Sequence, residues 1–146
     1  MRILLITNDW LPKKGGISTY LTNLVSSVDH ECTIYAPSWA EGDNVINSSS
    51  SFFLNSKDTI KEISDIIKNK NIDIILHGSS NPQFLLIGKL DQISNINNPK
   101  NIKIPQFMIC HGAEFNVLNY IPLLRSVLKR NLNKLNKIFT VSEFSK

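Results

Sequence analysis

The sequence predicts an α/β fold, a single domain built on a mainly parallel sheet. Short apolar runs alternate with segments whose apolar residues recur at helical spacing, and this alternation is typical of βαβ units. The apolar runs are nearly continuous, as in Ile72-Asp73-Ile74-Ile75-Leu76 with its one polar residue, which suits strands covered on both faces. With 146 residues, 42% of them hydrophobic, the chain can bury a core of its own. Right-handed crossovers between such strands make the sheet doubly wound and Rossmann-like.

The first element is a strand over residues 2–7, and a glycine turn then leads into a helix over 16–28, where Leu21, Leu24 and Val25 recur at helical spacing. Residues 38–50 and 95–103 are predicted to be surface loops. The other predicted elements are strands at 32–36, about 51–54, 72–77, 105–110 and 137–141, and helices at about 56–69, 82–94 and 121–136.

Composition excludes several classes of protein. No apolar run is long enough to span a bilayer, and the first strand lacks the flanks of a signal peptide, so we expect a cytoplasmic protein. Cys32 and Cys110 stand singly inside predicted strands, which favours reduced core residues over a disulfide or zinc ligands. The net charge of +4 is too mild to predict nucleic-acid binding.

The glycine pair Gly15-Gly16 lies between a strand and a helix amino terminus. The first turn of a helix offers free N–H groups and the positive end of its dipole, and glycine lets a phosphate approach the backbone. Neither the dinucleotide fingerprint nor the Walker motif is present. Taken alone, such a pair more often marks a simple tight turn.

Ligands of such sheets lie outside the carboxyl ends of the strands, and the residues there are polar or glycine. His77 and His111 each precede a glycine at such an end. His77 is either part of the site or a histidine whose hydrogen bonds are satisfied within a loop. Asp9 is either a carboxylate that orients a bound ligand or the former of an Asx turn. Glu114 either binds a ligand hydroxyl or caps the following helix. These ligand types suit zinc, but they come from separate strands without a metal spacing, so we expect no metal.

The predicted helix at 121–136 carries basic residues and no acid, and Arg125, Lys129 and Arg130 lie on it, followed by Lys134 and Lys137. This basic face is either a solvated cover of the sheet or a docking surface for an anionic membrane or a phosphorylated lipid.

Three motifs together resemble the amino-terminal domain of GT-B glycosyltransferases of the retaining family 4. They are Pro12-x-x-Gly15-Gly16-Ile17, His111-Gly112-Ala113-Glu114 and the terminal segment Val141-Ser142-Glu143-Phe144-Ser145-Lys146. The resemblance implies that Gly15 and Gly16 adjoin the diphosphate of a nucleotide-sugar donor. It also implies that His111 faces the cleft and contacts the reacting sugar or the acceptor as the catalytic residue, and that Asp9, His77 and Glu114 belong to the acceptor side.

The resemblance covers residues 1–146 as an acceptor-side domain, whereas the E-x7-E pattern of the family's donor-binding domain has no match here. We therefore expect the domain to need a donor-binding domain or subunit to transfer a sugar from a nucleotide-sugar donor to an acceptor hydroxyl, without a cofactor or metal. Such an enzyme retains the anomeric configuration through assistance by the leaving phosphate, so no general base is assigned. Two alternatives stay open: a noncatalytic α/β binding module or subunit of a two-chain enzyme, and an unrelated nucleotide-binding protein. The lipid-linked acceptors of several family members imply peripheral contact with the inner face of the cell membrane.

Overall fold

The computed structural model describes residues 1–51, 57–80, 82–97, 103–111 and 122–141. In these residues a six-stranded sheet has the order β3-β2-β1-β4-β5-β6, and every pair of neighbouring strands is parallel. The predicted doubly wound α/β class is confirmed. The elements are β1 (Arg2–Ile6), α1 (Gly16–Ser27), β2 (Glu31–Ala36), β3 (Val45–Asn47), α2 (Lys57–Lys70), β4 (Ile74–His77), α3 (Phe84–Asn97), β5 (Gln106–Cys110), α4 (Pro122–Leu132) and β6 (Lys137–Thr140).

Three predicted element positions were wrong. The helix α3 extends to Asn97, into the stretch 95–103 that we expected to be a loop. The third strand lies at Val45–Asn47, inside the stretch 38–50 that we expected to be a loop, and it pairs with Ile34–Ala36 of β2. The strand expected at about 51–54 lies mostly outside the described residues. The last helix ends at Leu132 rather than 136, which leaves Lys134 in a turn and Lys137 at the start of β6.

The two faces of the sheet have separate cores because successive strand residues point to opposite sides. On one face Leu5, Ile34 and Ile109 pack with Leu21 of α1. On the other face α2 and α3 cover Leu4, Ile6 and Ile75, and α3 and α4 cover Met108. Neither Cys32 nor Cys110 forms a disulfide, and both are buried, as the sequence predicted.

The edge strand β6 is poorly covered. In the part of the chain that the structure describes, β6 pairs only with β5. Ile138 is 36% exposed and Phe139 is 43% exposed. The Phe139 ring stacks on Phe107 of β5 with centroids 6.1 Å apart, and Lys137 Nζ lies 5.4 Å from the centroid of the same ring. This edge therefore presents aromatic surface to solvent.

Candidate functional site

The chain leaves the two central strands in opposite directions. From β1 it continues through α1 to β2, and from β4 it continues through α3 to β5 on the other side. Because β1 and β4 are neighbours, a crevice opens between the loops that follow them, where ligands of doubly wound sheets bind. Gly78 N–H donates to the Ile6 carbonyl at 2.9 Å. This hydrogen bond holds the start of the loop after β4 against the end of β1.

The glycine turn forms the amino-terminal cap of α1. Gly15 is the N-cap residue in extended conformation, and its N–H donates to Ser18 Oγ at 3.0 Å while that hydroxyl donates to the Gly15 carbonyl at 3.1 Å. The first helical bond runs from Thr19 N–H to the Gly15 carbonyl at 2.9 Å. The backbone N–H groups of Gly16, Ile17 and Ser18 therefore have no partner among the described residues and can receive an anion.

The fold itself does not require glycine at these two positions. A Cβ added at Gly16 would meet no atom within 4 Å, and one at Gly15 would only approach Ser18 Oγ at 4.0 Å. Neither glycine has a positive φ, since only Gly42 does among the described glycines. Both residues are exposed. The space beside the α1 amino terminus is thus open for a ligand.

His111 lies at the carboxyl end of β5 and faces the loop after β4. Its Nε2 is 2.9 Å from the Gly78 carbonyl oxygen, and its half-buried ring packs edge-on against Tyr20 of α1 with centroids 5.4 Å apart. A carbonyl only accepts hydrogen bonds, so Nε2 carries the proton and Nδ1 of the neutral ring is an acceptor. Tyr20 follows Gly16 by four residues and shares its helix face, which places His111 beside the first two turns of α1.

Sequence reasoning missed Tyr20 as a part of this arrangement, and it noted Gly78 only as the glycine that follows His77. A Cβ at Gly78 would lie 2.8 Å from Leu21 Cδ1 and 3.0 Å from Thr7 Cβ. Glycine is therefore needed for the close approach of α1 to the end of β4. The His-Gly pair at 77–78 was the available signal for Gly78, whereas no local pattern marks the contact between Tyr20 and His111.

His77 is placed differently from His111. It pairs in register with Met108 on the face that the helices α2 to α4 cover, and its side chain is fully buried. Its Nε2 is 3.0 Å from Gln106 Oε1, while Gln106 Nε2 donates to the Ile87 carbonyl at 3.4 Å. The oxygen accepts, so His77 Nε2 is protonated and Nδ1 is a buried acceptor without a partner among the described residues. Burial lowers the pKa of His77 to about 4. The hydrogen bond with Gln106 raises this pKa, but its effect is smaller than that of burial.

The side chain that forms the hydrogen bonds of the turn after β1 is that of Thr7, not that of Asp9. Thr7 Oγ1 accepts from Asp9 N–H at 3.0 Å and donates to the Asp9 carbonyl at 3.1 Å. The half-buried Asp9 carboxylate makes no hydrogen bond or ion pair with another described residue. Its proposed contact with an acceptor stays a prediction, as does the role of Glu114, which lies outside the described residues.

The basic residues of α4 do not form one stripe. Arg125 and Lys129 are exposed one turn apart on the same face, whereas Arg130 is rotated from Lys129 by about 100° around the helix axis. Arg130 lines a groove between α3 and α4 together with Lys134. Only the first two residues therefore share an outward surface.

The described residues offer neither a cluster of metal ligands nor a membrane-spanning helix. No three His, Cys, Asp or Glu side chains there come close enough to hold a metal ion, and the absence of a metal in the reaction stays a prediction. Within the same ranges, no helix has both the length and the hydropathy to cross a membrane.

The chain is similar to curated glycosyltransferases. It is 28% identical over 162 aligned positions to "GDP-mannose-dependent alpha-(1-6)-phosphatidylinositol monomannoside mannosyltransferase" from two strains of Mycobacterium tuberculosis. The protein of the same name from Mycolicibacterium smegmatis is 25% identical over 157 positions. Each alignment covers 99% of this chain but only 39% of the relative, so the chain spans about two-fifths of the length of these relatives. No family model matches the chain. The similarity supports a relationship to glycosyltransferases, and the site lies on a Rossmann-like parallel sheet.

Proposed function

We propose that this chain is the acceptor-side domain of a GT-B glycosyltransferase resembling family 4, which transfers a sugar from a nucleotide-sugar donor to an acceptor hydroxyl. The observation that carries the proposal is the juxtaposition at the end of β1, β4 and β5. There the open glycine turn of α1 lies beside Tyr20, and Tyr20 contacts His111. Similarity to mannosyltransferases along 99% of the chain supports the same assignment.

The donor diphosphate binds at the amino terminus of α1. Its oxygens accept hydrogen bonds from the free N–H groups of Gly16 and Ile17, and the helix dipole stabilises the charge that develops on the leaving phosphate. Each such bond contributes about 1.5–3 kcal/mol, against an association cost of roughly 4–15 kcal/mol. The chain alone therefore binds donor weakly, in about the millimolar range or above. Strong binding requires a donor-binding domain or subunit.

His111 acts as a fixed hydrogen-bond acceptor at the reacting centre. The Gly78 carbonyl holds Nε2–H, so Nδ1 accepts a hydrogen bond from a hydroxyl of the reacting sugar or the acceptor. Tyr20 fixes the ring plane by its edge-on contact. No general base is assigned, because retention of configuration is proposed to proceed with assistance from the leaving phosphate.

The acceptor is proposed to be lipid-linked. The names of the mycobacterial relatives specify a phosphatidylinositol monomannoside acceptor, and Arg125 and Lys129 form an exposed basic pair on α4. Each basic residue near an anionic membrane contributes about 1 kcal/mol, so this pair supports reversible contact rather than anchoring. The proposed location is peripheral, at the inner face of the cell membrane.

Two measurements test the proposal. In the first, residues 1–146 replace the matching part of the Mycobacterium tuberculosis relative, and mannosyl transfer from GDP-mannose is assayed. In the second, backbone amide shifts of the 146-residue chain are followed by NMR during titration with GDP. We expect transfer by the chimera and weak shifts centred on Gly15, Gly16 and Ile17. Shifts elsewhere would refute the donor site even if the chimera failed to fold, and sugar transfer by the purified chain alone would refute the need for a second domain.

A further inference from the structure

A second anion site is suggested by the groove between α3 and α4, away from the crevice at the strand ends. The groove encloses about 350 Å³, which is within the range of small-ligand sites. Three cationic side chains line it, and no acidic side chain among the described residues does: Lys89 from α3, Arg130 from α4 and Lys134 from the turn after α4.

Its cations are not neutralised by other described residues. The side chains of Lys89 and Arg130 make no hydrogen bond or ion pair with other described residues. Lys134 Nζ donates to the Gly88 carbonyl, a long contact of 3.5 Å. Among residues 84–97 and 122–132 the sole acid is Asp91, and its carboxylate pairs with Lys103 at 2.7 Å. The groove therefore concentrates positive charge in a chain whose net charge is only +4.

The two walls of this groove, α3 and α4, are held together by a hydrogen bond and by close packing. Asn131 is 8% exposed, and its amide donates to the Phe84 carbonyl at 2.9 Å, which ties α4 to the start of α3. A Cβ at Gly88 would lie 2.7 Å from Asn131 Oδ1, so glycine allows the two helices to approach closely. Lys89 and Arg130 thus extend from two helices in a fixed relationship, which lowers the entropy lost on clamping one ligand.

The composition of the groove indicates the chemistry of that ligand. Guanidinium and ammonium groups bind phosphate oxygens by charge-assisted hydrogen bonds. Half-buried Leu85 and Val127 also line the groove, and each lies one turn before a cationic or polar lining residue on the same helix. Apolar walls next to cations suit a phosphate that carries an organic group.

We propose that the groove binds a phosphate ester through Lys89, Arg130 and Lys134. This site is separate from the donor site at Gly15 and Gly16, and it does not depend on sugar transfer by the chain. The phosphate is either that of a phospholipid headgroup or that of a soluble ester, and the two sources give different results in the following experiment.

The experiment compares two triple variants of the 146-residue chain. Lys89→Gln/Arg130→Gln/Lys134→Gln removes the groove cations, and the control Lys57→Gln/Lys61→Gln/Lys68→Gln removes three from α2. In the first arm, inorganic phosphate is titrated at constant ionic strength, and the backbone shifts of Gly88 and Asn131 are followed. We expect saturable shifts in the wild type and the control. The groove variant should bind phosphate at least about tenfold more weakly, because the loss of one good polar contact already has an effect of this size.

In the second arm, all three proteins are sedimented with phosphatidylcholine vesicles containing or lacking phosphatidylglycerol. If the groove variant sediments less than the control with acidic vesicles, the phosphate that binds in the groove is that of a lipid headgroup. Equal sedimentation of both variants, with phosphate binding lost only in the groove variant, identifies a soluble ester. Equal behaviour of the two variants in both arms would overturn the proposal, as would shifts that never saturate. If the groove variant does not fold, Lys89→Gln/Arg130→Gln leaves the contact of Lys134 with Gly88 intact and is expected to weaken phosphate binding in the same way.

Discussion

Burial of His77 makes the stability of the domain depend on pH. The ordinary pKa of a histidine is 6.5, whereas burial lowers that of His77 to about 4 in the folded state. Between these values the unfolded chain binds a proton that the folded chain does not. The histidine therefore contributes stability fully above pH 6.5, and this contribution is lost as the pH falls toward 4.

The size of the effect follows from proton linkage. At pH 5 the shift of the His77 pKa from 6.5 to about 4 lowers the free energy of unfolding by about 2 kcal/mol relative to pH 7.5. This loss is a large share of the roughly 5–15 kcal/mol that stabilises a typical domain. Burial raises the pKa of Glu62, but hydrogen bonds from Tyr35 and Ser49 outweigh burial, so the pKa is lowered overall. The stability that Glu62 contributes is lost at lower pH, below the ordinary glutamate pKa of 4.5.

Urea unfolding at pH 7.5, 6 and 5 measures this dependence, with His77→Gln as the control that keeps an amide near Gln106 but cannot titrate. The wild type should lose about 2 kcal/mol between pH 7.5 and 5, and the variant should lose much less. Equal losses in both proteins would refute a buried neutral histidine. If the variant does not fold, an NMR titration of the His77 ring in the wild type gives the same answer, and an ordinary pKa near 6.5 would contradict the structure.

Four further variants distinguish binding from packing. Gly16→Ala should leave the free energy of unfolding unchanged or raise it by up to about 1 kcal/mol, since its Cβ meets open space, but should weaken the GDP-induced shifts; unaltered shifts would remove the glycine from the donor site. Gly78→Ala should cost about 1–3 kcal/mol in urea unfolding, because its Cβ would clash with Leu21, and a neutral effect would show that the loop relaxes freely. In the chimera, His111→Ala should lower turnover at least about a hundredfold while costing no more than about 1 kcal/mol of stability; activity within a few-fold of wild type would make the histidine structural. Arg125→Gln/Lys129→Gln should reduce sedimentation with acidic vesicles about thirtyfold, and added salt should weaken the wild-type binding; equal sedimentation with neutral vesicles would make this face a solvated cover.

Elements with strong local patterns were predictable from the sequence. The continuous apolar runs of β1, β4 and β5 predicted the strands within one or two residues, because strands covered on both faces need apolar side chains on each side. The strand β3 has only three residues, Val45–Asn47, and is formed by pairing with β2. Its pattern is too short to distinguish from a loop.

The two histidines show the limit of sequence reasoning at the site. His77 and His111 have the same local pattern, a histidine followed by glycine at the end of an apolar strand. What separates them is tertiary: Gln106 on the adjacent strand binds His77 beneath α3, whereas the Gly78 carbonyl and Tyr20 hold His111 beside α1. The hydrogen-bond partners lie 29 residues away in the chain for His77 and 33 for His111, so no local window contains them.

The exposed edge strand β6 has a consequence for how the protein behaves at high concentration. An unpaired strand edge is a template on which another strand can add, and natural proteins oppose such association with charged residues along the edge. Here the edge carries exposed Ile138 and Phe139, with Lys137 as the single charge of the strand. The 146-residue chain is therefore expected to self-associate and aggregate through β6 as its concentration rises, and a second charge at Ile138 is the substitution best placed to keep it monomeric.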